Sequence, residues 1–203
     1  MTPPLADRGR RGALLGLAGL LAACAAKPID PERFFRPELP TPAERPKPPL
    51  RLLVEPFRVL GIYADRALVV RDAGGAYRQS HGRSWIGPPS LLLGEVLVDY
   101  LRAAYGRDAV FTPQARLDAE VTIRPQLSRF ERVQTAAGDR AELALEFVVS
   151  GPGGALLGHP VFADAMPAGA TAADYVAAQS ALLGQAAAQL LALLDDVLPK
   201  VPR

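Results

Sequence analysis

Residues 141–149 read AELALEFVV. Leu143, Leu145, Phe147 and Val149 fall on one side of an extended chain and Glu142 and Glu146 on the other, the period of two that a strand with one buried face requires. Upstream, residues 118–133, DAEVTIRPQLSRFERV, alternate through Val121, Ile123 and Leu127 and then slip out of phase before Phe130, which predicts a bulge. Gly138-Asp139 between the two runs supplies a turn, so they are expected to pair antiparallel.

Further strands flank this pair. Pro152-Gly153-Gly154 makes the next turn, and ALLGHPVFAD (155–164) is a further strand. Towards the N-terminus, the folded domain is expected to open at Leu50. RLLVEPFRV (51–59) is β-prone, with Pro56 marking an edge or a bulge. ALVVRD (67–72) follows, then a Gly74-Gly75 turn and a third strand in AYRQS (76–80).

Two helices complete the pattern. Gly87-Pro88-Pro89-Ser90 sets up a helix start, with prolines tolerated in the first turn and Ser90 able to cap. Leu93, Leu97, Leu101 and Ala104 then mark one face up to a stop at Gly106. Thr171 with Asp174 reads as a capping box opening a helix to about Leu198. Its apolar stripe, Val176, Leu183, Ala187, Leu190, Leu194 and Val197, is interrupted at Ser180. Such a stripe packs either on the sheet or against another subunit or partner. The expected fold is α+β in two layers: one domain over residues 50–200, a mostly antiparallel or mixed sheet of about five to six strands, and two main helices packed on it.

The beginning of the chain reads as an export leader. Arg8, Arg10 and Arg11 precede the apolar run Gly12 to Ala23. That run is too short to span a bilayer, which takes roughly 20 apolar residues, and no later stretch is expected to serve. Leu21-Ala22-Ala23-Cys24 resembles the bacterial lipobox, in which the cysteine is acylated and becomes the new N-terminus. The alternative is an ordinary signal peptide cut at Ala23-Cys24-Ala25. Cys24 is the sole cysteine, so no disulfide competes for it within the chain. Each buried acyl methylene contributes about 0.8 kcal/mol, so two or more chains anchor stably. Ala25 and Ala26 stand where an aspartate would signal inner-membrane retention, and the outer membrane is the expected destination. The leader is then residues 1–23, and residues 24–49 are the acylated N-terminus and tether. Eight prolines in residues 25–49 suit an extended stalk, unless Phe34-Phe35 docks as an edge strand and shortens the free tether to about eight residues.

Removing residues 1–23 leaves 20 basic against 20 acidic side chains, a balance without the basic footprint of a nucleic-acid binder. No hydrolase elbow, zinc-binding H-E-x-x-H or phosphate-cradling glycine motif is present. His81 and His159 lie far apart, which leaves a zinc site without ligands. Ser80-His81, as neighbours on a strand, point to opposite faces and do not make a hydrogen-bonded pair. No catalytic residue, metal or cofactor is expected, and the chain does not read as an enzyme. The least explained stretch is YRQSHGRSWIGPP (77–89). Trp85 either closes the core or sits at a partner surface, where tryptophan and arginine are enriched. Tyr77, Arg83 and Trp85 are the partner-binding candidates.

The order RLLVEPFRVLGIYADRALVVRD followed by AYRQSHGRSWIGPPSLLLGEVLVDYL resembles the ABC-type transport auxiliary lipoprotein family, the PqiC-like lipoproteins. The matching features are the lipobox, the aromatic pair Phe34-Phe35, the V-x-P of Val54-Glu55-Pro56, the strand Leu68 to Arg71, then Tyr77, Trp85, Pro88-Pro89 and the leucine-rich helix. Arg36-Pro37 departs from the pattern, which usually continues apolar after the aromatic pair. The resemblance implies a periplasm-facing lipoprotein serving a Mce-type ABC system that moves lipid between the two membranes. Its partners would be a Mce-domain protein with its permease and ATPase, the membrane through the N-terminal lipid, and further copies of itself. A different class shares the anchor: a pilot or assembly factor for a secretion or lipopolysaccharide-export machine.

Overall fold

The computed structural model describes residues 31–202; the leader and Cys24 lie outside the described residues. The strands are β1 (Arg33–Phe35), β2 (Leu52–Val54), β3 (Arg58–Val59), β4 (Ala67–Arg71), β5 (Tyr77–Trp85), β6 (Val110–Phe111), β7 (Val121–Thr135), β8 (Gly138–Ser150), β9 (Leu156–Gly158) and β10 (Val161–Pro167). The helices are α1 (Pro89–Tyr105) and α2 (Ala172–Val197).

All ten strands join one mixed sheet organised on β7. The β7–β8 hairpin pairs antiparallel from Thr122↔Ser150 to Thr135↔Gly138, with its register shift between Leu127 and Arg129, where the alternation predicts it. The other edge of β7 is occupied by β2, β3 and β4 in succession, all parallel to it. Pro56 lacks an N–H and ends the ladder between β2 and β3. The loop between β3 and β4 then spans the β7 bulge, since Val59 pairs with Leu127 and Val69 with Glu131. β5 and β1 extend the sheet beyond β4, β6 flanks β2, and β9 and β10 pair with β8. The α+β class is as expected, but the sheet holds more than five to six strands. The additional ones are two- and three-residue pieces fixed by their neighbours, too short to show a period of their own.

The helices cover one face, and the hairpin's apolar alternation buries against them. Leu143, Leu145, Phe147 and Val149 share a core with Leu93, Leu97, Leu101, Leu182, Leu190 and Leu194. The stripe on α2 is therefore used within the fold, the first of its two readings. By length and composition the segment Ala172–Lys200 is apolar enough to cross a membrane, but half of its apolar window is buried inside the domain. The start of α2 is the capping box foreseen: Thr171 Oγ1 accepts from the Asp174 N–H at 3.1 Å, and Asp174 accepts from the Thr171 N–H at 3.0 Å. α1 starts two residues earlier than Ser90 capping requires. Pro88 is its N-cap and no side chain caps it; the Ser90 carbonyl instead accepts from the Phe57 N–H at 3.2 Å. Gly106, at φ +96°, ends α1 with its N–H on the Arg102 carbonyl.

The proline-rich stretch differs from a free stalk. Phe34-Phe35 does dock as an edge strand, β1, parallel to β5. Residues 36–48 then run over both helices as a strap: the Glu38 N–H donates to Ser180 Oγ at 3.1 Å and the Arg45 N–H to the Ala104 carbonyl at 2.7 Å. Pro37 and Pro48 are buried. Polyproline geometry has no internal hydrogen bonds and presents apolar rings, so it can lie on a helix surface as readily as in water.

Candidate functional site

β5 is longer than the AYRQS run. Ala67 pairs with Ser84 but Val69 pairs with Gln79, so Ser80-His81-Gly82-Arg83 stand opposite Leu68 alone. Gly82, at φ +66°, lets this wide bulge turn. The bulge forms one wall of a cleft of about 450 Å³, lined by Arg78, Ser80 and Arg83. Arg132 and Asp139 of the β7–β8 hairpin form the other wall, and the loop Ala168–Ala170 closes the end.

Arg132 is held from two sides. Its Nε donates to Asp139 Oδ2 at 2.6 Å, and one terminal nitrogen donates to the Gly169 and Ala170 carbonyls at 2.9 and 2.8 Å. Arg78 donates to Gln134 Oε1 at 3.0 Å. Arg83 is exposed, and it makes no ion pair among the described residues. Three guanidiniums against one carboxylate make a cationic concavity suited to a carboxylate or phosphate group, with Arg132 already oriented.

A second polar cluster lies on the opposite face of the sheet. Glu131, fully buried, accepts from Arg71 Nε at 2.7 Å and from the Tyr63 hydroxyl. Arg71 also donates to Glu142 at 2.9 Å. Burial first, and the hydrogen bond to Glu131 second, push the Tyr63 phenol far above its ordinary range, so it stays a donor. This cluster is internally satisfied and binds the loop after β3 to the hairpin.

The structure does not bring the three partner-binding candidates together. Trp85 is 1 % exposed and stacks on Phe130 at 4.6 Å between ring centroids, which is the core reading and leaves it no partner surface. Tyr77 is exposed and pairs in register with Arg71, so it belongs to the Glu131 face. Arg83 lines the cleft on the other side. Cys24 lies outside the described residues. The sequence reading missed Arg78 and Arg132. Counting the hairpin register outward from Gly138 would have set Arg132 opposite Ala141 and so diagonal to Asp139 on the same face, but neither Arg78 nor Arg132 has a motif to announce it. No hydrogen bond joins Ser80 to His81 among the described residues, and His159 pairs with Glu146 at 2.9 Å on the surface. Among the described residues no three His, Cys, Asp or Glu side chains cluster as metal ligands.

The sequence model of a family described as the ABC-type transport auxiliary lipoprotein component matches residues 36–191. Among solved structures, a Xanthomonas campestris protein aligns with TM-score 0.66 and 19 % identity, covering 80 % of this chain and 94 % of that one. A crystal structure of an uncharacterised protein aligns with TM-score 0.59 and 18 % identity, covering 73 % and 97 %. At these identities the likeness is one of fold. No curated protein matches the chain.

Proposed function

The chain belongs to the ABC-type transport auxiliary lipoprotein family, and from that premise we propose that it is a non-catalytic, periplasm-facing lipoprotein of the outer membrane serving a Mce-type ABC system for lipid transport between the membranes. The observation that carries this reading is the family match over residues 36–191, taken with the lipobox ending at Cys24.

The role is positional. Acyl chains on Cys24 hold the protein in the leaflet. With β1 docked, residues 25–32 are the spacer, reaching about 25 Å if fully extended at ~3.1 Å per residue. The domain then stands close to its membrane and offers the Arg78, Arg83 and Arg132 cleft to an acidic group of the transport assembly. Tyr77 marks a separate contact on the other face.

Cross-linking in native envelopes, followed by affinity isolation and mass spectrometry, tests the proposal. The expected result is a Mce-domain protein together with its permease and ATPase. Recovery of a secretin or an export barrel instead would place the chain with the assembly factors of another envelope machine.

A further inference from the structure

One end of the domain exposes apolar side chains that the fold leaves unused. Phe34 is 49 % exposed and Ile86 57 %, and the Ile86 N–H donates to the Phe35 carbonyl at 2.8 Å. Phe34 pairs in register with Ser84, two residues before Ile86, so period-two alternation puts Phe34 and Ile86 on the same side of the sheet. The Arg66 guanidinium sits 5.9 Å over the Phe34 ring, and the Arg66 carbonyl accepts from the Trp85 N–H at 2.6 Å. The loop that carries Arg66 also exposes Leu60 and Ile62. Single exposed apolar residues need no explanation, but Phe34 and Ile86 meet at the β1–β5 edge beside Arg66, whose loop also carries Leu60 and Ile62.

The same edge is where the chain joins the domain. Cys24 lies only nine residues before Arg33, the first residue of β1. We infer that this end, Phe34, Ile86, Leu60 and Ile62 with Arg66, rests in the interfacial layer of the bilayer that holds Cys24. The inference rests on the anchoring of Cys24 proposed above. The spacer is too short to carry this end beyond about 25 Å from an acylated Cys24. Aromatic and aliphatic groups beside an arginine that can reach a phosphate are the composition of an interfacial contact. A lipid surface is therefore the occupant, and the cationic cleft of Arg83 and Arg132 remains for the protein partner.

The test uses the full-length lipoprotein matured in cells. Cys24 is acylated there, so Ile86→Cys supplies the one free thiol for an environment-sensitive fluorophore, and Leu156→Cys on β9 is the exposed control. The proteins are reconstituted in phosphatidylethanolamine–phosphatidylglycerol vesicles containing shallow spin-labelled lipid. The expected result is that both proteins float with the vesicles and that the label at 86 is blue-shifted and quenched at least twofold more than the label at 156. Flotation with equal quenching at the two positions overturns the membrane contact and leaves the anchor standing. A blue shift at 86 that grows with protein density without lipid quenching assigns the patch to a second copy and also overturns it. Failure to float overturns the anchor, and this inference with it.

Discussion

Glu131 and Glu142 stand directly opposite one another across the β7–β8 ladder, and the guanidinium of Arg71 binds both carboxylates. Like charges in that position repel, so Arg71 is the condition under which the hairpin can carry them. Glu131 is fully buried, and loss of its cation leaves a charge without compensation. Arg71→Met is expected to destabilise the domain by about 3 kcal/mol, the lower end for a broken buried pair because Arg71 is partly exposed. Adding Glu131→Gln to Arg71→Met should recover much of the loss. Urea denaturation of both variants checks this; additive losses would show that the pair is not coupled.

Trp85 fills the space between the sheet and α2, stacked on Phe130 and tilted against Tyr175 at 6.1 Å. Trp85→Ala is expected to cost about 3–5 kcal/mol through lost burial and the cavity left behind. Wild-type melting of this variant with loss of a partner would return Trp85 to a surface role, against its burial.

Cys24→Ser is expected to leave an unprocessed precursor that takes up no labelled palmitate, because the hydroxyl cannot stand in for the acylated thiol. Normal maturation of the variant, followed by mobility shift and metabolic labelling, would remove the anchor from the proposed function.

What could be read in the sequence was what short segments decide by themselves. The β7–β8 alternation, the slip before Phe130 and the Thr171–Asp174 box each lie within a few residues and follow local rules. The strap over residues 36–48 was unreadable for a physical reason: prolines that pack on a helix and prolines that stand in water have the same composition. Its trace lay elsewhere, in the Ser180 break of the α2 stripe, since Ser180 Oγ accepts the Glu38 N–H while its own hydroxyl donates to the Val176 carbonyl at 2.8 Å. The arginine cleft was invisible because Arg83 and Arg132, 49 positions apart, meet only through the order β5–β4–β7.

Alkaline pH should unfold the protein steeply. Burial raises the phenol pKa of Tyr63, Tyr105 and Tyr175, with hydrogen bonds to Glu131 and Asp195 adding to the first two. In the unfolded chain these groups ionise near pH 10. Their contribution is therefore complete below about pH 10. Above it the unfolded state has released protons that the folded state still holds, so stability falls as pH rises, by about 1.4 kcal/mol per pH unit for each phenol. Phenolate absorbance at 295 nm for these residues should appear together with the loss of near-ultraviolet circular dichroism. Their ionisation in a protein that remains folded would contradict the burial argument.

The strap should behave as part of the domain. Arg45 Nε donates to Asp195 Oδ2 at 2.9 Å while the Tyr105 hydroxyl donates to Oδ1 at 2.8 Å, so one carboxylate of α2 ties both the strap and the end of α1. Gly184 allows the close approach: a Cβ there would meet Pro40 Cδ at 3.0 Å. Gly184→Leu is therefore expected to lift the strap, lower stability by about 1–3 kcal/mol through overpacking, and speed amide exchange at Glu38 and Arg45 selectively. Shortening residues 37–49 should lower the melting temperature as well, because it withdraws Leu39 from the core it packs against and uncovers the helix surfaces beneath. If instead the shortened protein melts like the wild type and only envelope function changes, the stretch is a spacer after all and its packing on the helices contributes nothing to the fold.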